Sequence, residues 1–192
     1  MEQENKIWTL EEVHEEKDLG VFVADNLKQS LQCQQAARKA MYMLGLINRH
    51  FKKIDIQSFK ILYKCYIRPH MEYCIQAWSP YLRRDIDCLE KVQRRATKLV
   101  THCQKLSYDE RLKVLDLLPL EKRRLRGDLI ETYKILTGLE DVDPADFFEF
   151  VNNGYDLRGH KFKLTIKRNN LNVRSKFFSQ RIVSEWNGLY AR

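Results

Sequence analysis

Cys33, Ala37, Ala40, Leu44, Ile47 and Phe51 recur at alternating steps of four and three, the spacing that sets residues along one side of an α-helix packed against a neighbour. The reading is a helix from about Ser30 to Phe51, with Gln32, Arg38, Lys39 and Asn48 on its other side. The same arithmetic continues downstream. Asp55 is placed to cap a second helix, with Ile56, Phe59, Leu62, Tyr63 and Tyr66 turned inward. Pro69 is expected to end it, because the residue before a proline avoids helical geometry. A short segment from His70 to Trp78 follows, and Trp78 reads as core. Between Asp85 and Cys103 the apolar residues Ile86, Leu89, Val92, Ala96, Leu99, Val100 and Cys103 mark one helical face, with Lys91, Arg94, Arg95, Lys98 and His102 opposite. Ser107 with Glu110 is a capping box that opens a helix bearing Tyr108, Leu112 and Leu115. After Pro119 comes a helix striped by Leu125, Leu129, Tyr133 and Leu136 and closed by Gly138. The chain is expected to be mainly helical.

The two ends differ. From Ile7 to Val23, short β-branched and aromatic runs split by Glu15–Asp18 suit a two-stranded hairpin, although Thr9 and Glu12 also fit a helix cap. Near the other end, Pro144–Phe148 suits one helical turn. Arg158–Arg168 alternates cations with apolar residues at period two, as an exposed strand or extended arm would, so Lys161, Lys163, Lys167 and Arg168 suit contacts with a phosphate backbone. They equally suit an edge strand kept soluble by lysine. Phe177 to Trp186 reads as a closing amphipathic helix.

Charge is unevenly spread. Residues 1–30 hold three Lys/Arg against eight Asp/Glu, whereas residues 31–192 hold 31 against 18, which together give the net +8. A body this basic attracts polyanions. Lys122, Arg123, Arg124 and Arg126 crowd the first turns of their helix, where each cation opposes the helix dipole at roughly 0.3–1 kcal/mol. An acidic or phosphate partner would relieve that repulsion, as would Glu121 or Asp128 locally. With 44% hydrophobic residues the chain suits a folded module rather than a disordered one. No apolar run approaches the ~20 residues that cross a bilayer, and there is no signal-peptide pattern. The five scattered cysteines form no Cys-x-x-Cys, which implies reduced thiols and an intracellular setting, nucleus or cytoplasm. No cluster suits a metal, a cofactor or a nucleophile–base pair, so neither a cofactor nor a small-molecule substrate is expected.

Motif order carries the functional reading. Lys17-Asp18-Leu19-Gly20-Val21 comes first, then Leu27–Ser30, Leu62-Tyr63-Lys64, Ile67–Cys74 and Gln76–Pro80. Leu89–Lys98, Ser107–Leu112, Leu120–Glu131, Phe177-Phe178-Ser179 and Trp186-Asn187 follow. In order and spacing these resemble the carboxy-terminal, thumb and post-thumb part of jockey-like non-LTR retrotransposon (LINE) reverse transcriptases, the chicken-repeat clade above all. The resemblance covers nearly the whole chain and decides the opening segment for the hairpin. It implies a thumb-like multi-helix bundle at 30–138, preceded by a palm-end hairpin at 1–29 in which Leu19, Gly20 and Val21 correspond to the primer grip. A less regular extension would occupy 139–192.

The catalytic palm of that family is missing. Two-metal polymerisation needs clustered carboxylates, and the chain has no Asp-Asp pair anywhere. The implied role is therefore non-catalytic: holding an RNA/DNA template–primer duplex by its phosphates, with Lys91, Arg94, Arg95, Lys98, Arg123, Arg124, Arg126, Lys161 and Lys163 as contacts. The absent palm is a further expected partner and a membrane is not. The alternatives are a helical protein-interaction module, or a transposon relic with no selected function.

Overall fold

The computed structural model describes residues 12–151 and 162–189. It is mainly helical, with a two-stranded hairpin in front and a less regular carboxy-terminal part. Strands β1 (Glu15–Asp18) and β2 (Val21–Ala24) pair antiparallel, Asp18 facing Val21. The two-residue turn between them needs positive φ at both positions. Leu19 has φ 45° and Gly20 has φ 88°. Val21 and Ala24 point into the core, and the Phe22 amide donates to Gln32 Oε1 at 3.0 Å, which fixes the hairpin on the first helix.

That helix, α1 (Ser30–His50), buries Cys33, Ala37, Ala40, Leu44 and Ile47, the expected seam. Phe51 falls outside it. The backbone turns extended at that residue, and its ring stays exposed. Small residues on the seam let α5 (Arg83–Ala96) lie close along it.

Asp55 caps α2 (Ile56–Leu62), its carboxylate accepting from the Ser58 amide at 2.9 Å. Pro69 does not end this helix. Tyr63–Ile67 wind as a π turn and lead directly into α3 (Arg68–Glu72), with Pro69 in its first turn. The Arg68 amide bonds back to Tyr63, five residues away. The wider winding leaves room for a proline that would otherwise clash with the carbonyl four residues before it. The extra residue also rotates the register, so Ile67 rather than Tyr66 faces inward. Cys74, at φ 51°, turns the chain into α4 (Ile75–Trp78). Trp78 is buried, and its Nε1 donates to the Tyr73 carbonyl at 2.6 Å.

The long basic helix expected through Cys103 stops at Ala96. Thr97–Leu99 and Thr101–Cys103 are 3₁₀ turns on either side of an extended Val100, which bridges to Ile54. Thr97 sits at the break. Fully buried, its hydroxyl donates back to the Arg94 carbonyl at 3.1 Å and accepts Arg111 Nε at 3.0 Å. A side chain thus occupies the carbonyl that helix continuation would use. Leu89, Val92, Ala96, Val100 and Cys103 are buried all the same, while Ile86 and Leu99 are only partly covered.

Ser107 and Glu110 complete the capping box of α6 (Tyr108–Leu115). Helix α7 (Leu120–Leu136) closes on Gly138, with the Leu139 amide donating to the Lys134 carbonyl at 2.9 Å. Its buried stripe corrects the expected one. Leu120, Arg124, Asp128, Thr132, Ile135 and Leu136 face inward; Leu125 and Leu129 are partly covered, and Tyr133 is 52% exposed.

Among the described residues the buried side chains form two clusters. The first gathers the residues from Val21 to Leu120; the second gathers Ile135, Leu136, Phe148, Leu164, Phe178, Ile182, Val183 and Trp186. Helix α7 contributes to both. In the second, α8 (Pro144–Phe147) is the expected single turn, and α9 (Asn172–Ser175) follows the extended segment. The closing helix is instead two short ones, α10 (Phe178–Arg181) and α11 (Val183–Asn187), meeting at buried Ile182. Nor is the described part of the basic arm free. Leu164 is buried, its amide donates to Asn187 Oδ1 at 2.9 Å, and Phe150 bridges it.

Candidate nucleic-acid interface

Lys91, Arg94, Arg95 and Lys98 occupy the outer side of α5 and the turn after it, all exposed. Cations there suit the carboxy-terminal end of a helix dipole. The acidic residues of α5 lie elsewhere. Asp87 pairs with Arg83 at 3.3 Å; Asp85 is buried and accepts the Ser30 hydroxyl at 2.7 Å; Glu90 points inward. Arg94 lays its guanidinium over the Tyr108 ring, 4.8 Å from the centroid, and its cationic edge remains outward.

Beneath this face a buried hydrogen-bond chain holds α5 in place. The Tyr63 hydroxyl donates to Gln93 Oε1, and Gln93 Nε2 donates to the Tyr108 hydroxyl at 2.9 Å and to the Leu118 carbonyl at 3.0 Å. Tyr108 in turn donates to Glu90 Oε1, while Glu90 Oε2 accepts the Leu120 amide at 3.1 Å. Burial pushes both tyrosine hydroxyls above their ordinary range. They therefore remain donors at any ordinary pH, and α5 presents its cations from a rigid base.

The groove between α1 and α5 is a 310 Å³ cavity lined by Arg38, Met41, Lys91 and Arg95 among others. Over the crest of α1 it meets a 380 Å³ cavity, to which Arg38 also contributes. Lys39 and His70 continue from there into a 320 Å³ cavity beside Gly20 and Tyr73. No Asp or Glu lines any of the three. Arg38, Lys39, Lys91, Arg95 and Lys98 enter no ion pair among the described residues. The result is a continuous basic path over α1.

The cations of α7 do not join it as a set. Arg124 is buried, 5% exposed, with Nη2 unpartnered; burial lowers its affinity for the proton, which nearby Glu90 and Glu121 oppose. Arg123 donates to both oxygens of Glu72 at 2.6 and 3.0 Å, and that hydrogen bonding raises its pKa. Crowding at the start of α7 is thus relieved within the protein, by Glu72, Glu90 and the expected Glu121, rather than by Asp128, which pairs with Arg181 at 2.8 Å. Arg124 cannot reach a phosphate from there, which removes it from the expected contacts. Arg126 stays exposed. Lys163 is partly covered beside the second cluster, and Lys161 lies outside the described residues.

At the hairpin tip, Leu19 is 85% exposed and its carbonyl accepts the Tyr73 hydroxyl at 2.9 Å. A Cβ on Gly20 would stand 3.5 Å from the Tyr73 ring. Val21 is core.

Arg38 and Lys39 appear in the sequence reading only as the outer side of a helix, and Tyr42, His70 and Tyr73 not as site residues at all. One signal was available: Tyr42 lies four residues after Arg38 and three after Lys39, on one helical face. The contribution of His70 and Tyr73 depends on the π turn and on the kink at Cys74, which leave no periodic trace.

Among the described residues no group of three or more His, Cys, Asp or Glu is arranged to hold a metal, and no helix is long and apolar enough to cross a membrane. Compared with protein-family models, with curated proteins and with solved structures, the chain matches none.

Proposed function

We propose that this chain binds nucleic acid through its phosphate backbone, without reading sequence and without catalysis, along the basic path formed by Arg38, Lys39, Lys91, Arg94, Arg95 and Lys98. The observation that carries this reading is the segregation of charge. Carboxylates near α5 are buried or paired, whereas these cations face solvent, and Arg38, Lys39, Lys91 and Arg95 surround cavities that no acidic side chain lines. The order of motifs resembling the thumb region of LINE reverse transcriptases supports the same reading and suggests a template–primer duplex as the ligand, with a palm domain as the missing partner.

The test is binding of the purified chain to an RNA–DNA hybrid across a salt series. Phosphate contact predicts a steep loss of affinity with salt. Lys91→Gln, Arg95→Gln or Arg38→Gln should each lower the slope by about one, whatever the base sequence. Arg124→Ala should lower stability and leave the slope unchanged. Salt-insensitive, weak binding by the native chain would refute the proposal and favour a protein partner for the same helices.

A further inference from the structure

The basic path holds more than charge. Where it crosses α1, Tyr42 is 67% exposed and enters no ring stack or hydrogen bond among the described residues. It stands in the 380 Å³ cavity with Gln35, Arg38, Lys39, Met43 and His70. Phosphate binding alone does not call for this composition. A backbone-gripping surface needs cations and small donors, whereas here a bare aromatic ring shares its cavity with two cations, a thioether and an imidazole. Such a mixture suits a ligand whose units each carry a flat ring and a negative charge. In a duplex the base faces are covered by their neighbours in the stack. Away from the ends of a duplex, only an unpaired base can lay its face on a tyrosine.

We infer that the Tyr42 face of α1 is a stacking site for an unpaired nucleotide, so that the chain binds a single strand continuing from a duplex held at Lys91 and Arg95. This inference rests on the phosphate-binding proposal and adds to it a preference for partly single-stranded ligands. Arg38, which borders both the α1–α5 groove and the Tyr42 cavity, takes the last phosphate of the duplex, and Lys39 takes that of the stacked nucleotide. His70 and Gln35 supply edge contacts that are indifferent to base identity.

The experiment compares three ligands by fluorescence anisotropy with the full chain: a blunt duplex, the same duplex with a short single-stranded overhang, and one whose overhang consists of abasic units. The ordinary overhang should tighten binding by about 5- to 150-fold, the range for one base stacked on an aromatic residue. The abasic overhang, which adds phosphates without rings, should recover little of that gain. Tyr42→Ala should abolish the gain while leaving blunt-duplex affinity and its salt slope intact, and Tyr42→Phe should preserve it. A 2-aminopurine in the overhang should be quenched by the native chain and by Tyr42→Phe, but not by Tyr42→Ala. Equal affinity for blunt and overhung duplexes, or an abasic overhang as good as an ordinary one, overturns the inference and leaves phosphate binding standing. Failure to bind any of the three overturns both.

Discussion

Arg181 reaches Asp128 with two nitrogens, at 2.8 and 2.9 Å, and its remaining N–H groups donate to the carbonyls of Gln76, Lys176 and Ile75. Both side chains are largely shielded from water. Removing one partner strands the other charge, so Arg181→Ala or Asp128→Ala should each lower unfolding free energy by about 3–5 kcal/mol. Urea denaturation of the Asp128→Leu/Arg181→Met double variant should show a smaller loss than the two single losses added together. No sequence pattern announced this pair, because its members lie 53 residues apart and Asp128 sits among residues that periodicity counts as solvent-facing. Cysteines follow simpler rules. Burial pushes the Cys33 thiol up to about 12, with the Asp85 carboxylate adding to the effect, and Cys103 is also buried; Cys65 and Cys74 are exposed. Maleimide treatment of the folded chain followed by mass spectrometry should therefore modify Cys65 and Cys74 and spare Cys33 and Cys103 until denaturant is added.

At the scale of elements, legibility tracked the kind of signal. The seam of α1 could be read because small and branched residues recur strictly by fours and threes, and the cap of α6 because Ser107 and Glu110 act within four residues of one another. The stripe of α7 could not be read that way. Arg124, Asp128 and Thr132 are buried at steps of four, yet a count of apolar residues passes over them and settles on Leu125, Leu129 and Tyr133. The cap of α6 is also a pH-sensitive device. Hydrogen bonds from the Ser107 hydroxyl and amide hold the Glu110 carboxyl below the ordinary glutamate value. A carboxyl lowered on folding stabilises above its unfolded pKa and ceases to do so as pH falls through the folded one. Ser107→Ala should cost about 1 kcal/mol near neutrality. Thermal melts should show that the difference between variant and parent narrows as pH drops below about 4.

The described residues build two cores threaded by one helix. Among the described residues the second cluster is the smaller, and it combines short elements, α8 to α11, with backbone that bonds across loops. Its ties to the first include α7 and the Arg181 contacts with Asp128, Ile75 and Gln76. Such an arrangement opens in stages. Hydrogen exchange should show the amides of α10 and α11 opening before those of α1 and α5, and Arg181→Ala should accelerate the first group without the second. A uniform rise across both groups would mean that the chain opens as one unit.

Tyr63–Ile67 is an ordinary helix with one residue too many. An in-frame deletion of a single codon within those five would let the segment relax into plain α winding, so backbone hydrogen bonding alone gives little reason to reject it. The damage would appear at a distance. Losing one residue turns everything after it by about 100° relative to what precedes, so Met71 would swing out of the core and Tyr73 would point away from the Leu19 carbonyl it now holds. Pro69, freed of its wide turn, would face the carbonyl it at present avoids. Length here is as constrained as composition: a substitution at exposed Cys65 is tolerable, whereas its deletion would take Met71 from the core and the Tyr73 hydroxyl from the hairpin tip.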